Sequence, residues 1–311
     1  IDGVHFDDYF YPYPSYNNGK DFPDEDSYHA YLQQGGKLSR GDWRRKAVND
    51  FIRRVYRAIK QTKPWVKFGL SPFGIYRPGH PASISGFDQY RTLYADARLW
   101  LNQGWVDYWA PQLYWPINRV RQSFPVLLGW WLRENKKQRH VWPGLFTSRV
   151  KDAAGVDENL NQIMIVRGFE PDAPGHIHFS AKAFLDTSAI LSKALLTGPY
   201  RRPALIPPSP WLDDEPPQPP RVRTQLMADS VSIRWTHGDT SDVFRWVVYF
   251  RYGDRWNYQI LNRSQMTFTL PYRLSADENK VSFVLTRVAV TAVDRTGNES
   301  ARTILPVTIP Q

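Results

Sequence analysis

The chain of 311 residues contains no cysteine, which removes disulfides, thiol nucleophiles and cysteine metal sites in one step. That absence leans toward the bacterial envelope, where a stray thiol would be oxidised, although it also fits a cytosolic enzyme. No run of 18 apolar residues occurs, so no segment reads as a membrane-spanning helix. The first residues carry no basic, apolar and cleavage regions of a secretory signal, and a missing signal says little about compartment. A polybasic tail is absent too. Of 40 basic and 30 acidic residues, 12 and 8 fall from Pro217 onward, leaving 28 and 22 before it. The formal charge of +10 is therefore spread as +4 and +6, a mild field that attracts an acidic polymer, whether nucleic acid or anionic glycan.

Aromatic residues, by contrast, are abundant: 13 Trp, 17 Tyr and 16 Phe make up 15% of the chain. Aromatic faces bind sugar rings and bases alike. Residues 201–221, RRPALIPPSPWLDDEPPQPPR, hold eight prolines, a density that forbids helix and central strand. Residues 201–215 are expected to be a semi-rigid linker between a domain at 1–200 and another at 216–311. Beyond the linker, seven short runs alternate with period two, from RVRTQLM through VSFVLTRVAVTAVD to RTILPVTIP, and predict an antiparallel β-sandwich. Pro217–Pro220 leading into the first run, Trp235 in SIRWT and the run AVTAVDRTGNES resemble a fibronectin type III domain. The resemblance implies a spacer or a wall or protein contact, with Trp235 in the core.

Before the linker, apolar runs alternate with amphipathic helices. DGVHF (2–6), WVKFGLSPF (65–73), VDYWAPQLYW (106–115), HVWPGLF (140–146) and GHIHFSA (175–181) read as strands. Helices are expected at 42–60, then near 87–103, 124–138, 157–169 and 187–196. In the first of these, Asp42 is the expected N-cap, and Val48, Phe51, Ile52, Val55, Tyr56 and Ile59 form one apolar stripe. Five strands each followed by a helix imply parallel strands with right-handed crossovers. Such an α/β pattern fits a doubly wound sheet or the last five units of a (β/α)8 TIM-type barrel. The loop after the first strand is Asp-Asp-Tyr-Phe-Tyr-Pro, which would repel phosphate. The barrel is the better reading.

In a parallel barrel the chemistry lies at the C-terminal strand ends. Those positions offer Asp7, Asp8 and Tyr9, then Ser71, Phe73, Tyr76 and Arg77, then Gln112, Tyr114 and Trp115, then Phe146, Thr147 and Arg149, and finally Ser180, Ala181 and Lys182. Carboxylate, amide, hydroxyl and aromatic groups on one rim suit a sugar. Glycoside hydrolysis needs one carboxylate at the oxocarbenium-like centre and a second, protonated carboxyl at the leaving oxygen. Adjacent strand residues point to opposite faces, so Asp7 and Asp8 are alternatives for one role: Asp7 shares a face with His5, Asp8 with Val4 and Phe6. The expected substrate-binding set is His5, Tyr9, Tyr11, Ser71, Tyr76, Arg77, Gln112, Tyr114, Trp115 and Lys182. Asp24, Glu25 and Asp26 read as solvated loop surface or as a lid that could bring in an acid. His176 and His178 alternate on the fifth strand, but no third ligand has matching spacing, so no metal and no cofactor are expected. Ser71 lacks the Gly-x-Ser-x-Gly elbow. The basic residues of the first helix, among them Arg44, Arg45, Arg53, Arg54, Arg57 and Lys60, read as an outer helix face and not as a nucleic-acid site.

The blocks DGVHFDDYFYP, FPDEDSYHAY, GDWRRKAVNDFIRRVYRAIK, KFGLSPFGIYRPG, YADARLWLNQGWVDYWAPQLYW and GHIHFSAKAF are similar to the bacterial glycosyl-hydrolase-like family ten. The resemblance runs through about residues 1–200. It implies a glycosidase of the cell envelope that acts on peptide-free peptidoglycan strands, an amino-sugar polymer. It also places HFDDYFYP on the fourth barrel strand, so that three strand–helix units are expected to come from elsewhere. The rival expectation is a non-catalytic carbohydrate-binding or scaffold protein with a degenerate barrel.

Overall fold

A computed structural model of the chain describes residues 1–7, 10–185, 190–275 and 282–308. The contacts divide into two units, Ile1–Arg201 and Arg202–Gln311.

In the first unit the strands are β1 (Gly3–Asp7), β2 (Lys67–Ser71), β3 (Tyr108–Trp109), β4 (His140–Val141), β5 (Gly144–Leu145) and β6 (Ile177–His178). The order β1-β2-β3-β4 is parallel throughout, and β5 pairs in parallel with β6. Trp142 and Pro143 interrupt one strand between β4 and β5. The Trp142 N–H still donates to the Trp109 carbonyl (2.8 Å) and the Gly144 N–H to Pro111 (2.9 Å). Bridges Phe73↔Gln112 and Gln112↔Gly144 carry the ladder across. Neighbours in space are thus neighbours in sequence.

Helices fill the connections: α1 (Glu25–Gln33), α2 (Arg40–Thr62), α3 (Gln89–Thr92), α4 (Ala97–Gln103), α5 (Phe124–Glu134), α6 (Ala153–Phe169), α7 (Lys182–Leu185) and α8 (Ile190–Thr197). The cap of α2 is Ser39 and not Asp42: the Asp42 N–H donates to the Ser39 hydroxyl (3.2 Å), which returns its proton to the Asp42 carboxylate (2.5 Å). One orphan backbone N–H of the first turn is satisfied in this way, and the helix starts earlier than its apolar stripe. The single helix expected near 87–103 is two, because Tyr94 takes a positive φ of 51° and Asp96 recaps the chain at Leu99 N. Likewise Asp152 caps Gly155 N (2.8 Å) and starts α6 before residue 157. The expected last helix begins in residues 186–189, which lie outside the described residues.

One face of the sheet is apolar. Phe68, Leu70, Trp109 and Val141 are buried there with Ile52, Trp100, Leu127, Trp131 and Ile163 from the helices, and Val4 and Phe6 pack against them. Burying each such Leu, Ile or Phe contributes roughly 1.5–3 kcal/mol. The opposite face carries the polar side chains.

The second unit is all-β: β7 (Arg221–Leu226), β8 (Ser230–Thr236), β9 (Arg245–Tyr252), β10 (Arg255–Asn262), β11 (Thr267–Pro271), β12 (Arg273–Ser275), β13 (Ser282–Val293) and β14 (Thr303–Pro306). One antiparallel sheet has the order β11-β8-β7, the other β10-β9-β13 with β12 and β14 also on β13. The three-residue β12 is the strand the period-two pattern did not predict. Trp235 and Trp246 meet edge to face (6.0 Å) in a core with Val248, Val288 and Val290. The proline-rich stretch is tied to this unit: Ser209 N–H donates to Thr296 O (2.9 Å), and the Asn298 amide to Asp213 O (2.9 Å). Gly297 has φ +99°, and a Cβ there would lie 2.9 Å from the Ile206 carbonyl, so only glycine lets the two segments approach.

Candidate active site

Val4 and Phe6, half-buried, pack against the core, so His5 and Asp7 turn to the other, open face of β1. Asp8 and Tyr9 lie outside the described residues. Parallel pairing sets His5 beside Gly69 and Asp7 beside Ser71. At Gly69 a Cβ would fall 2.0 Å from the Tyr108 ring, so this glycine is the notch that lets Tyr108 lie across the sheet. The Tyr108 hydroxyl is 3.0 Å from His5 Nδ1 and its ring stacks on His5 (5.7 Å). Trp142 stacks on the far side of Tyr108 (5.3 Å), and His140 on Trp142 (4.6 Å). A row of four rings therefore floors the polar face. Burial holds His5 below its ordinary pKa, with the Asp7 charge pulling the other way. Burial pushes Tyr108 up to about 12, helped by the Asp107 charge. Burial and then the charges of Lys67 and Arg139 depress His140 to about 4. Near neutrality all three rings are uncharged.

Gln112 completes the rim. Its amide nitrogen donates to Asp7 Oδ1 (2.9 Å) and to the Ser71 carbonyl (3.0 Å). One side chain thereby fixes the Asp7 carboxylate to two strands. Asp7 is exposed and sits in a groove of about 660 Å³ lined by His5, Phe6, Phe10, Tyr11, Phe22 and Phe51 among others. Among the described residues it is the carboxylate on this stretch of the rim.

Other expected residues land elsewhere. Ser71 is buried and its hydroxyl donates to the Ala110 carbonyl (2.8 Å), a strand-to-strand bond and not a free ligand. Tyr76 belongs to the core: it is 7% exposed, stacks on Trp130 (5.9 Å) and donates to Asp96 Oδ1 (3.2 Å), because the chain after β2 turns back under α5. Arg77 pairs with Asp88 (3.5 Å) over the Tyr90 ring (4.8 Å). Trp115 packs edge to face on Phe73 (5.5 Å), so its face is partly used. Tyr114 stays at the rim, joined by Phe146 (5.0 Å) and Phe179 (5.4 Å), with the Arg149 guanidinium over Phe146 (4.1 Å). Lys182, on the four-residue α7, is exposed.

Tyr11 lines the groove but is held by a cluster that sequence reasoning missed. Arg44, 1% exposed, donates to Asp24 through Nε (2.8 Å) and Nη2 (2.6 Å), to Asp21 (2.7 and 3.1 Å), to Tyr94 (2.6 Å) and to Phe22 O (3.1 Å). Arg40 adds a second guanidinium on Asp24 (2.6 Å). Asp24 is accordingly 7% exposed and is neither solvated surface nor a lid acid; its neighbour Glu25 remains exposed and pairs with Arg40. The signal was there: Arg40 and Arg44 are one turn apart on α2, on the face that also carries Val48 and Ile52. Burial pushes Tyr11 up to about 12, with Asp24 adding to it.

His176 and His178 both point Nε2 at the Tyr200 hydroxyl, the second at 2.7 Å. The phenol can donate to one ring and accept from the other. Burial depresses them to about 3 and about 4.

Residues 1–162 match the family described as "Glycosyl hydrolase-like 10", just over half of the chain. The chain is 36% identical over 233 residues to "Glycosyl hydrolase YngK" of Bacillus subtilis (strain 168), covering 71% of this chain and 45% of the relative. It is 41% identical over 135 residues to "Glycosyl hydrolase DigH" of Escherichia coli (strain K12), covering 42% of this chain and 30% of the relative. The chain thus spans less than half the length of these curated relatives. Among solved structures, bee venom hyaluronidase in complex with a hyaluronic acid tetramer overlaps at a TM-score of 0.32, with 17% identity over 49% of this chain and 51% of that one.

Proposed function

The chain belongs to the glycosyl hydrolase-like 10 family, and from that membership we propose that it is a glycoside hydrolase in which Asp7 serves the anomeric centre. The observation that carries the reading is the Gln112-oriented Asp7 carboxylate on the same strand face as the row of rings from His5 through Tyr108 to Trp142. A carboxylate so held stabilises or attacks the developing oxocarbenium-like carbon, while a second, protonated carboxyl donates to the leaving oxygen. Gln112 contributes by fixing the Asp7 rotamer before substrate arrives, which removes an orientational cost from the reaction.

We read the five sequential parallel strands as an arc of a (β/α)8 barrel. A doubly wound sheet reverses its strand order at a switch point, whereas here order in space follows order in sequence. Asp7 and Gln112 then sit at the C-terminal strand ends, where barrel chemistry belongs.

The substrate we propose is a peptide-free amino-sugar strand of the bacterial wall, which puts the protein in the cell envelope. The Tyr114–Phe146–Phe179 group offers sugar rings a stacking surface, and Arg149 beside it suits a substrate carboxylate. The second unit, similar in sequence to fibronectin type III domains, serves contact and not catalysis.

Reducing-end release from peptide-free glycan strands tests this. Asp7→Asn should lower turnover by about 10³-fold or more with binding retained. Equal release by both proteins would remove Asp7 from the chemistry. Binding without release by either would favour a carbohydrate-binding protein instead.

A further inference from the structure

The outer face of the sheet β11-β8-β7 combines arginines in an arrangement the fold itself disfavours. Cross-strand register sets Arg223 directly opposite Arg234, and Arg221 opposite Thr236; on the other side of β8, Thr267 stands opposite Arg234. Val222, Ile233, Trp235 and Phe268 point into the core, so the alternating arginines point out, and all three are exposed. Among the described residues no carboxylate forms an ion pair with any of them. Opposed side chains on one face lie about 4.5–5.5 Å apart at Cβ, and like charges there destabilise a sheet. Arg221 is two residues from Arg223, about 7 Å along the same strand. Among the described residues, three guanidinium groups therefore share a small patch with no carboxylate paired to them.

We propose that this face is a binding surface for a linear, carboxylate-bearing glycan. Each guanidinium can take a carboxylate through two parallel N–H donors, and an anion placed between Arg223 and Arg234 turns their repulsion into shared attraction. Thr236, Thr267 and Gln225 on the same face donate to sugar hydroxyls. Among the described residues no aromatic side chain stands on it, so they offer no stacking platform of the kind by which single-stranded nucleic acid is held. The surface is independent of Asp7 and holds whether or not the first unit turns over a glycan.

The test measures binding of the full chain to polygalacturonate, to its methyl-esterified counterpart and to duplex DNA at matched ionic strength. The double variant Arg223→Thr, Arg234→Thr should lose at least about tenfold in polygalacturonate affinity, with a weaker salt dependence. Its melting temperature should be equal to or higher than that of the parent, since the opposed charges are gone. Arg54→Thr, Arg57→Thr on α2 removes the same charge elsewhere and should keep the affinity. The proposal is overturned if the double variant binds as the parent does, if the α2 control loses as much, or if the esterified polymer binds equally well. Tighter binding of DNA, or a marked drop in the melting temperature of the double variant, would overturn it as well.

Discussion

Arg44 concentrates more polar contact than any other side chain described, and its removal has a calculable effect. Arg44→Met keeps the stem that lies along α2 and deletes six donated hydrogen bonds. Removing one partner of a buried ion pair costs about 3–5 kcal/mol, since the other charge is left uncompensated. Here Arg40 still donates to Asp24, so the lower end, about 3 kcal/mol, is expected. For a unit of this size each kcal/mol lowers Tm by about 2–4 °C, giving a fall of about 6–12 °C for the first unit. Asp21 is held below its ordinary pKa by the Arg44 hydrogen bond. For Asp24, burial pushes upward but the hydrogen bonds from Arg44 and Arg40 outweigh it. Carboxylates lowered in this way stabilise the fold above the unfolded value of 3.8 and lose that contribution as pH falls through the folded pKa. The parent should therefore weaken below about pH 4 more steeply than Arg44→Met. Calorimetric melting from pH 3 to 7, with Asp24→Asn and the double variant closing a cycle, measures both effects. A coupling energy near zero, or parallel pH curves for parent and variant, would refute the clamp.

Gly69→Ala drives a methyl into the Tyr108 ring and should cost about 1–3 kcal/mol, with part of the loss restored in Gly69→Ala, Tyr108→Ala; urea titration reads it. Lys60→Met leaves the fully buried Asp107 without the ammonium that sits 2.5 Å away and should destabilise by about 3–5 kcal/mol, again by urea titration. Gln112→Glu sets a second carboxyl against Asp7, so one proton becomes shared between them, and the acid limb of the pH–rate profile should move to higher pH; an unmoved limb would separate Gln112 from Asp7. His176 and His178 bind protons in the unfolded chain near pH 6.5 but in the fold only at about 3 and 4. First-unit stability should thus be full above pH 6.5 and decline toward pH 4, and His176→Asn, His178→Asn should flatten that decline in melting curves.

The alternation of strand and helix and the all-β end were legible because hydrophobic period reports burial directly. Helix ends were less so. The caps Ser39, Asp96 and Asp152 are local hydrogen bonds that shift a boundary by several residues without altering the apolar stripe. At the rim, Asp7 and Gln112 were expected because a rule about strand ends points to them, and the structure joins them by a hydrogen bond. Tyr76 was misplaced for the same reason: position after a strand says nothing about which way the chain then turns. Tyr108 and Trp142 escaped notice because their partner is the missing side chain of Gly69, an absence visible only across a strand pair. Arg44 escaped because a charge on an amphipathic helix reads as solvent-facing until the loop that covers it is placed.

The notch at Gly297 separates two boundaries that composition alone treats as one. Prolines 203–210 have the makeup of a tether, yet the carbonyls of Ile206 and Pro207 rest against the Gly297 backbone, and Ser209 and Asp213 are hydrogen-bonded to the loop around it. Proline has little backbone freedom to lose, so docking this segment costs little conformational entropy. Functionally it is a strap belonging to the sandwich. Excising the second unit at residue 216, where the composition changes, would remove that strap and expose the Asp294–Asn298 turn it covers. A cut between Arg201 and Arg202 would carry the strap along and leave a self-contained module for grafting or for separate study.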